Sequence, residues 1–500
     1  MTAYPEFDAF AANYAAGRSQ LVWTRLVSDL ETPVSAFLKL GGNRANAFLL
    51  ESVEGGEQLG RYSIIGFDPD IIWRCFGARS EINYNAAENI SAFAREDGAP
   101  LANLKRLFQQ SEIDVIPDGL PPMAAGVFGY LGYDMVRQME ALGPRPDGGL
   151  DTPDAIFIRP MMLAVFDNIR QEILLITPAR PNPRASAAAA YDLAQRRLDD
   201  AALKLTAPLD PTLQAPTVGD APMAAQSNMS ADEYKHAVLR AKEYISAGDI
   251  FQVVLSQRFS TSFDAPPFEL YRSLRRSNPS PFMFYLNFAD FALVGSSPEI
   301  LVRVRDGEVT IRPIAGTRWR GATPAEDAAL ADDLLADEKE RAEHLMLLDL
   351  GRNDVGRSAK IGTVRVTDSF TIERYSHVMH IVSNVVGELR DDVHPVDAVS
   401  AGFPAGTVTG APKIRAMEII DELECSARGV YGGAIGYFSA DGNVDTCIAL
   451  RTAVVKDGVL HVQAGAGIVA DSVPENEQKE CENKARALFA AAEAVFGTQA

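Results

Sequence analysis

The sequence is poor in the residues that mark secreted, membrane-bound or nucleic-acid-binding chains. Only four of its 500 residues are cysteine (Cys75, Cys425, Cys447, Cys481), none in C-x-x-C spacing, so a disulfide scaffold and a cysteine-rich zinc module are excluded. They read as reduced thiols of a cytoplasmic protein. No apolar run approaches the roughly 18 residues of a membrane span. The first twenty residues, MTAYPEFDAFAANYAAGRSQ, lack a basic start followed by an apolar stretch. Neither export nor an anchor is expected, and no membrane partner. Positive charge is scarce as well: 47 Lys and Arg face 67 Asp and Glu, and the net charge of -20 opposes binding to nucleic acid.

What remains is the composition of a soluble globular protein, 47% hydrophobic and 23% charged, and 500 residues predict two domains or one large composite. Near the N-terminus Thr32 and Pro33 form a cap and first position for the helix PVSAFLKL. Strand-like runs follow (AFLLESV, RYSIIGF, DIIWRCFG, EINYN), with EGGEQLG as the first turn, and later IFIRPMMLAVFDN and QEILLITP. Residues 178–229, rich in Pro and Ala around one short helical piece, read as a surface connection between the halves 1–177 and 230–500. The second half opens at Ser230, with Glu233 in capping-box position. Asp-Gly pairs at 306–307, 441–442 and 457–458 fit tight hairpins, which predicts a largely antiparallel α+β fold, with long helices over 324–350, 410–424 and 475–496.

Two of those helices carry carboxylates where core residues belong. Glu340 and Glu343 share a face with Leu347 and Leu350, and Glu477 and Glu480 likewise run into an apolar stripe. Burying an ionised carboxylate without a partner costs several kcal/mol, so such groups call for a cation. An oxygen-only donor set without a His or Cys cluster favours Mg²⁺; a solvated helix face is the alternative, and a di-iron bundle lacks its Glu-x-x-His steps. His377 and His380, three apart in a strand, point to opposite faces and cannot share an ion. Thr407, Thr409 and Gly410 precede a helix start suited to an anion, or to ordinary capping. GAGIVA imitates a dinucleotide fingerprint, but the helix is delayed past Pro474; Gly465 and Gly467 read better as points of close backbone approach or as a bulge. Arg451 and Lys484 are cations inside apolar runs, free to pair with a small polyanion or with the acidic helices.

These blocks, together with FQVVLSQR, SPEIL, PIAGTR, YSHVMHIVS, TVTGAPK, YGGAIGYF, DTCIALRTA and ENKA, resemble the chorismate-utilising enzymes from about residue 30 to 495, and within them the large-subunit (component I) branch of anthranilate synthase. The resemblance implies a four-layer α/β/β/α sandwich for the catalytic half behind an N-terminal regulatory part. It implies a Mg²⁺-dependent lyase taking chorismate and ammonia to anthranilate and pyruvate at the start of tryptophan biosynthesis. Glu343 and Glu480 fall on metal ligands, with Glu340 and Glu477 outside them. Tyr431, Arg451, Gly465, Ala466 and Gly467 fall where substrate carboxylates are held, Gly316 and Thr317 at the ring, and Thr409 and Lys484 in the same pocket. Glu299 matches the acid that protonates the departing C4 hydroxyl, and His380 the group for the later proton removal. Water-adding members have a Lys at Gln252, and aminodeoxychorismate-forming members a Lys at Ala315, so the resemblance favours ammonia at C2 over those sibling activities. A non-catalytic amino-acid-binding subunit is the remaining alternative. No glutamine-hydrolysing nucleophile elbow is present, which implies a separate glutamine amidotransferase subunit (component II) in a hetero-oligomer. Glu51, Ser52, Pro281, Phe282 and Met283 fall on the family's site for feedback inhibition by L-tryptophan. One departure is Cys425–Ser426, where the family has a Pro after the helix ending at Glu424.

Overall fold

A computed structural model describes residues 2–42, 44–54, 58–214, 224–375 and 378–497. Every ladder between its named strands is antiparallel, as the Asp-Gly turns require. At Asp306–Gly307 and Asp457–Gly458 both residues take positive φ (51°, 78° and 52°, 73°), the backbone of a tight hairpin.

The first half is built on helix α1 (Pro33–Leu40) and strands β1 (Ala47–Glu54), β2 (Gln58–Phe76), β3 (Gly126–Leu131) and β4 (Ala155–Asp167). Thr32 caps α1 as expected, accepting from Ser35 N at 3.1 Å. RYSIIGF and DIIWRCFG, expected as two strands, are one: a register shift between Pro69 and Ile71 bends β2 without breaking its pairing to β4. Of the expected turn EGGEQLG (54–60), residues 55–57 lie outside the described residues.

Within the 178–229 interval, of which 215–223 lie outside the described residues, helix α2 (Ala187–Thr206) is longer than the short piece expected. Its Tyr191, Leu198 and Leu205 are buried, so small alanines between them bring the helix close to the sheet rather than leaving it solvated.

The second half is built on α3 (Ala231–Ala247), β5 (Gln252–Ser262), α4 (Pro267–Ser277), β6 (Phe282–Asn287), β7 (Phe291–Ser297), β8 (Ile300–Arg305), β9 (Ile314–Trp319), α5 (Pro324–Ala336), α6 (Glu338–Gly356), β10 (Val378–Glu388), α7 (Lys413–Leu423), β11 (Ala434–Ser439), β12 (Thr452–Lys456), β13 (Val459–Ile468) and α8 (Pro474–Gly497), among other elements. The capping box of α3 forms as read, with Glu233 Oε2 accepting from Ser230 N at 2.7 Å. The long helix expected at 324–350 is two, because Asp337 ends α5 and caps α6 by accepting from Lys339 and Glu340 N.

Two ladders tie the halves together. β1 lies between β2 and β6, and β3 pairs with both β4 and β11, so the hydrogen-bonded path β2–β1–β6–β7–β12–β13–β5 runs from the first half into the second. One buried cluster accordingly contains Phe37, Leu198, Tyr234, Phe268 and Leu488 from both halves. Among the described residues no helix is long and apolar enough to cross a membrane.

Candidate active site

β9 and β10 supply the first group of side chains. Their register shifts between Ala315 and Arg318, so Gly316 and Thr317 form an outward bulge opposite His380. Gly316 has φ +70°, and a Cβ there would lie 3.1 Å from Glu340 Oε2; glycine lets α6 approach the strand. His380 is buried, and its Nδ1 sits 2.7 Å from Gly316 O and 3.2 Å from Thr317 Oγ1. A carbonyl only accepts, so Nδ1 carries the hydrogen and Nε2 keeps its lone pair. Burial, with Arg451 and Lys484 adding to it against the Gly316 carbonyl, lowers the imidazole to about 4, so it is neutral at physiological pH. His377, its expected counterpart on the other face, lies outside the described residues.

Glu299 follows β7 after Pro298 and is buried. Its carboxyl accepts from Thr407 Oγ1 at 3.1 and 3.2 Å. Burial outweighs that bond, a backbone bond from Ile314 and the field of Arg451, and raises the carboxyl to about 8. Glu299 is therefore a carboxylic acid at neutral pH. Arg451, between β11 and β12, is half-buried and adopts left-handed backbone (φ +48°), a strained conformation for a long side chain. Among the described residues its guanidinium has no hydrogen-bonded or ion-paired partner, and burial lowers its pKa despite Tyr375 and Glu299 nearby.

β5 and β13 form the floor. Their register is unbroken from Val253–Ile468 to Ser262–Val459, so Gly465 and Gly467 are not a bulge but points of close approach. A Cβ on Gly465 would come within 2.8 Å of Tyr431 Oη, and one on Gly467 within 2.6 Å of Gln252 Nε2. Ala466 between them is fully buried. Lys484 Nζ on α8 donates to Gly465 O at 2.9 Å and pairs with Glu480 at 2.7 Å. Gln252 donates from Nε2 to Glu343 at 3.3 Å, while its Oε1 is buried without a partner among the described residues. Thr409 is fully buried with its hydroxyl donated to Ala405 O at 2.8 Å, so Thr407 rather than Thr409 presents a hydroxyl to the acid.

A buried ion pair that the sequence reading passed over holds this floor to its walls. Arg428 donates from Nε to Glu424 at 2.9 Å and from its terminal nitrogens to Val408 O and Val254 O, both at 2.6 Å; its cation lies over the rings of Tyr133 and Tyr431. Glu424 also accepts from Ser256 N and Oγ at 2.7 and 2.8 Å. The signal was present as Glu424 and Arg428 at i, i+4 around the Cys425–Ser426 departure, but nothing in the spacing says they are buried.

The acidic helices converge here too. Burial first, then Glu340 and Glu480, raises the Glu343 carboxyl; burial first, then Glu480, raises Glu477. Glu340 is held at 3.4 Å by Arg318. Among the described residues no three Asp, Glu, His or Cys side chains stand close enough to enclose an ion by themselves.

The remaining candidates form a second centre on β1 and β6, where Glu51 lies opposite Met283 and Ser52 opposite Phe282, with Val53 N donating to Pro281 O at 3.3 Å. Glu51 is buried and accepts from Arg275 at 2.7 and 3.0 Å, from Tyr271 Oη and from Ser63. Arg275 also lines a cavity of about 600 Å³ with Thr32, Pro33, Asn168 and Arg276.

The sequence model of the chorismate binding enzyme family matches residues 47–490. The chain belongs to that family. It is 57% identical to anthranilate synthase component 1 of Cereibacter sphaeroides over 97% of each chain, and 50% identical to that of Pseudomonas putida over 93% of each. Among solved structures it resembles anthranilate synthase component I from Streptococcus pneumoniae TIGR4, with a TM-score of 0.77 and 37% identity over 93% of this chain and 99% of that one. This chorismate-binding enzyme thus keeps the mixed helical and antiparallel fold of that relative.

Proposed function

We propose that the chain is the large subunit of an anthranilate synthase, converting chorismate and ammonia to anthranilate and pyruvate. One observation carries the reading: Arg451, a strained and desolvated guanidinium without a partner among the described residues, faces a neutral acid, Glu299, and a neutral base, His380. A desolvated cation without a partner is costly unless a ligand completes it, and a dicarboxylate such as chorismate does so.

In the first step ammonia attacks C2 of the ring, the double bonds shift, and the C4 hydroxyl departs as water with the proton of Glu299, whose carboxylate is reprotonated by the proton that the new ammonium sheds. In the second, His380 Nε2 takes the C2 proton as the bond to the enolpyruvyl oxygen breaks, and that proton ends on the methylene carbon of the released enolpyruvate, giving pyruvate and leaving the aromatic ring. Tyr431, Arg451 and the backbone at Gly465, Ala466 and Gly467 bind the carboxylates, and Gly316 and Thr317 bound the ring. Gln252 is an amide and cannot deprotonate water, which favours ammonia as nucleophile over an isochorismate-forming reaction.

We assign Mg²⁺ to Glu343 and Glu480, with Glu340 and Glu477 outside them. Hard carboxylate oxygens suit it, and their mutual repulsion at Glu343 is the kind a cation relieves. When bound, such an ion polarises the ring carboxylate. Ammonia comes from a glutamine amidotransferase partner, as the designation component 1 of the relatives suggests. Glu51, Ser52, Pro281, Phe282 and Met283 bind L-tryptophan as feedback inhibitor.

The test is anthranilate fluorescence from the purified chain with chorismate, Mg²⁺ and ammonium, with and without L-tryptophan. A Mg²⁺-dependent signal suppressed by tryptophan is expected. Chorismate consumed without fluorescence would assign a sibling activity instead, and no consumption would leave only a binding subunit.

A further inference from the structure

β7 stands between the two centres. On one edge it pairs with β6, Ser296 opposite Met283 and Ser297 opposite Phe282; on the other it pairs with β12, Gly295 opposite Thr452. Ser296 is fully buried and uses both of its donors across that divide. Its hydroxyl donates to Asn278 O at 2.6 Å, in the segment that leads into Pro281–Met283. Its backbone N–H donates to Arg451 O at 3.1 Å. Ser297 makes a separate connection: its hydroxyl donates to Ile448 O at 2.7 Å, and Ile448 N donates to Glu299 O at 3.0 Å.

We propose that Ser296 is the positioning residue through which occupation of the Glu51–Met283 centre changes chorismate binding at Arg451. The inference rests on the reading of that centre as a tryptophan site. Coupling needs an element with discrete arrangements that both ligands bias. In this proposal Arg451 supplies that element: it sits in the left-handed well, which steric barriers separate from the other allowed backbone regions. Ser296 holds the Arg451 carbonyl with one bond and the regulatory segment with the other, so a shift at 278–283 reaches the residue whose backbone conformation aims the guanidinium. Glu299 is reached by the Ser297 route. Tryptophan therefore changes affinity for chorismate through Ser296 and the chemical step through Ser297.

The experiment compares wild type, Ser296→Ala and Ser297→Ala, measuring L-tryptophan binding by titration calorimetry and KM for chorismate with and without saturating tryptophan. The coupling is the KM ratio within each protein, so changes in basal activity cancel. In wild type a ratio of about 5- to 150-fold is expected, the usual span of allosteric coupling. Ser296→Ala should bind tryptophan yet show a ratio below about two, whereas Ser297→Ala should keep the wild-type ratio. Tryptophan bound by Ser296→Ala with an undiminished ratio overturns the inference. Loss of tryptophan binding in Ser296→Ala also overturns it, by placing the serine in the binding site itself, and so does an equal loss of coupling in Ser297→Ala, which would show general disturbance of β7. Wild type that binds no tryptophan overturns the inference together with the site reading.

Discussion

Glu51 and Glu299 are both carboxylates buried among strands, and their surroundings treat them in opposite ways. Glu51 is closed off by a two-pronged Arg275, by Tyr271 and by Ser63, so that its charge is fully answered within the chain. Glu299 has a threonine hydroxyl and a backbone donor, with no guanidinium in contact, and keeps its proton up to about pH 8. Glu424 and Arg428 repeat the closed arrangement, and Arg451 and Glu343 the open one. A closed ionic network is satisfied before any ligand arrives, whereas charges left open mark where a ligand must supply the missing partner.

Glu299→Gln should separate the two roles most sharply. Loss of the general acid lowers kcat by about 10²- to 10⁴-fold. Stability should move the other way. A carboxyl whose folded value, about 8, lies above its ordinary value binds protons more tightly in the folded chain, so its contribution to stability falls as pH rises from the unfolded value to about 8. Gln does not titrate, so the variant's advantage in melting temperature should be absent below the ordinary carboxylate range, grow through that window and level off above it. A wild-type-like melting temperature at pH 8.5 would mean that Glu299 is as well compensated as Glu51.

Arg428→Ala tests the closed side. It leaves Glu424 buried without its cation, a loss of about 3–5 kcal/mol in stability by urea unfolding, with the Tyr431 wall loosened as well. Stability close to wild type would place Arg428 among the open charges. Glu343→Gln tests the open side at the acidic helices. It relieves repulsion from Glu340 and Glu480, so melting temperature without metal should rise by a few degrees, and the further rise on adding Mg²⁺ should vanish. An undiminished Mg²⁺ shift would remove Glu343 from the ligands.

How much of this was legible in the sequence depends on the range over which each feature is decided. Caps and turns are local, and Thr32, Ser230 and the Asp-Gly hairpins formed as read. The carboxylates on α6 stood out because they interrupt an apolar stripe of fixed period. Pairings such as β1 with β6, more than two hundred residues apart, carry no local signal, and neither does the burial of Arg428, whose partners come from three separate segments. RYSIIGF and DIIWRCFG join in the single strand β2 because the pairing to β4 carries the chain through Asp68 and Pro69 with one register shift. Thr407 was noticed only as part of a helix start; its role beside Glu299 needed the β7–β8 connection to be placed next to it.

That threonine offers the finest test of what keeps Glu299 open. Its hydroxyl stabilises the ionised carboxyl and so pulls the pKa down against burial. Thr407→Val keeps the shape and removes the donor, so Glu299 should hold its proton to higher pH. At fixed concentration of free ammonia, the alkaline fall of kcat/KM for chorismate should move upward from about pH 8 by less than about one unit, while the rate near pH 7 changes by no more than about threefold. Thr407→Ser should leave the profile in place. A downward shift in Thr407→Val would mean that the hydroxyl stabilises the protonated acid instead, and an unmoved limb would assign the alkaline fall to a group other than Glu299.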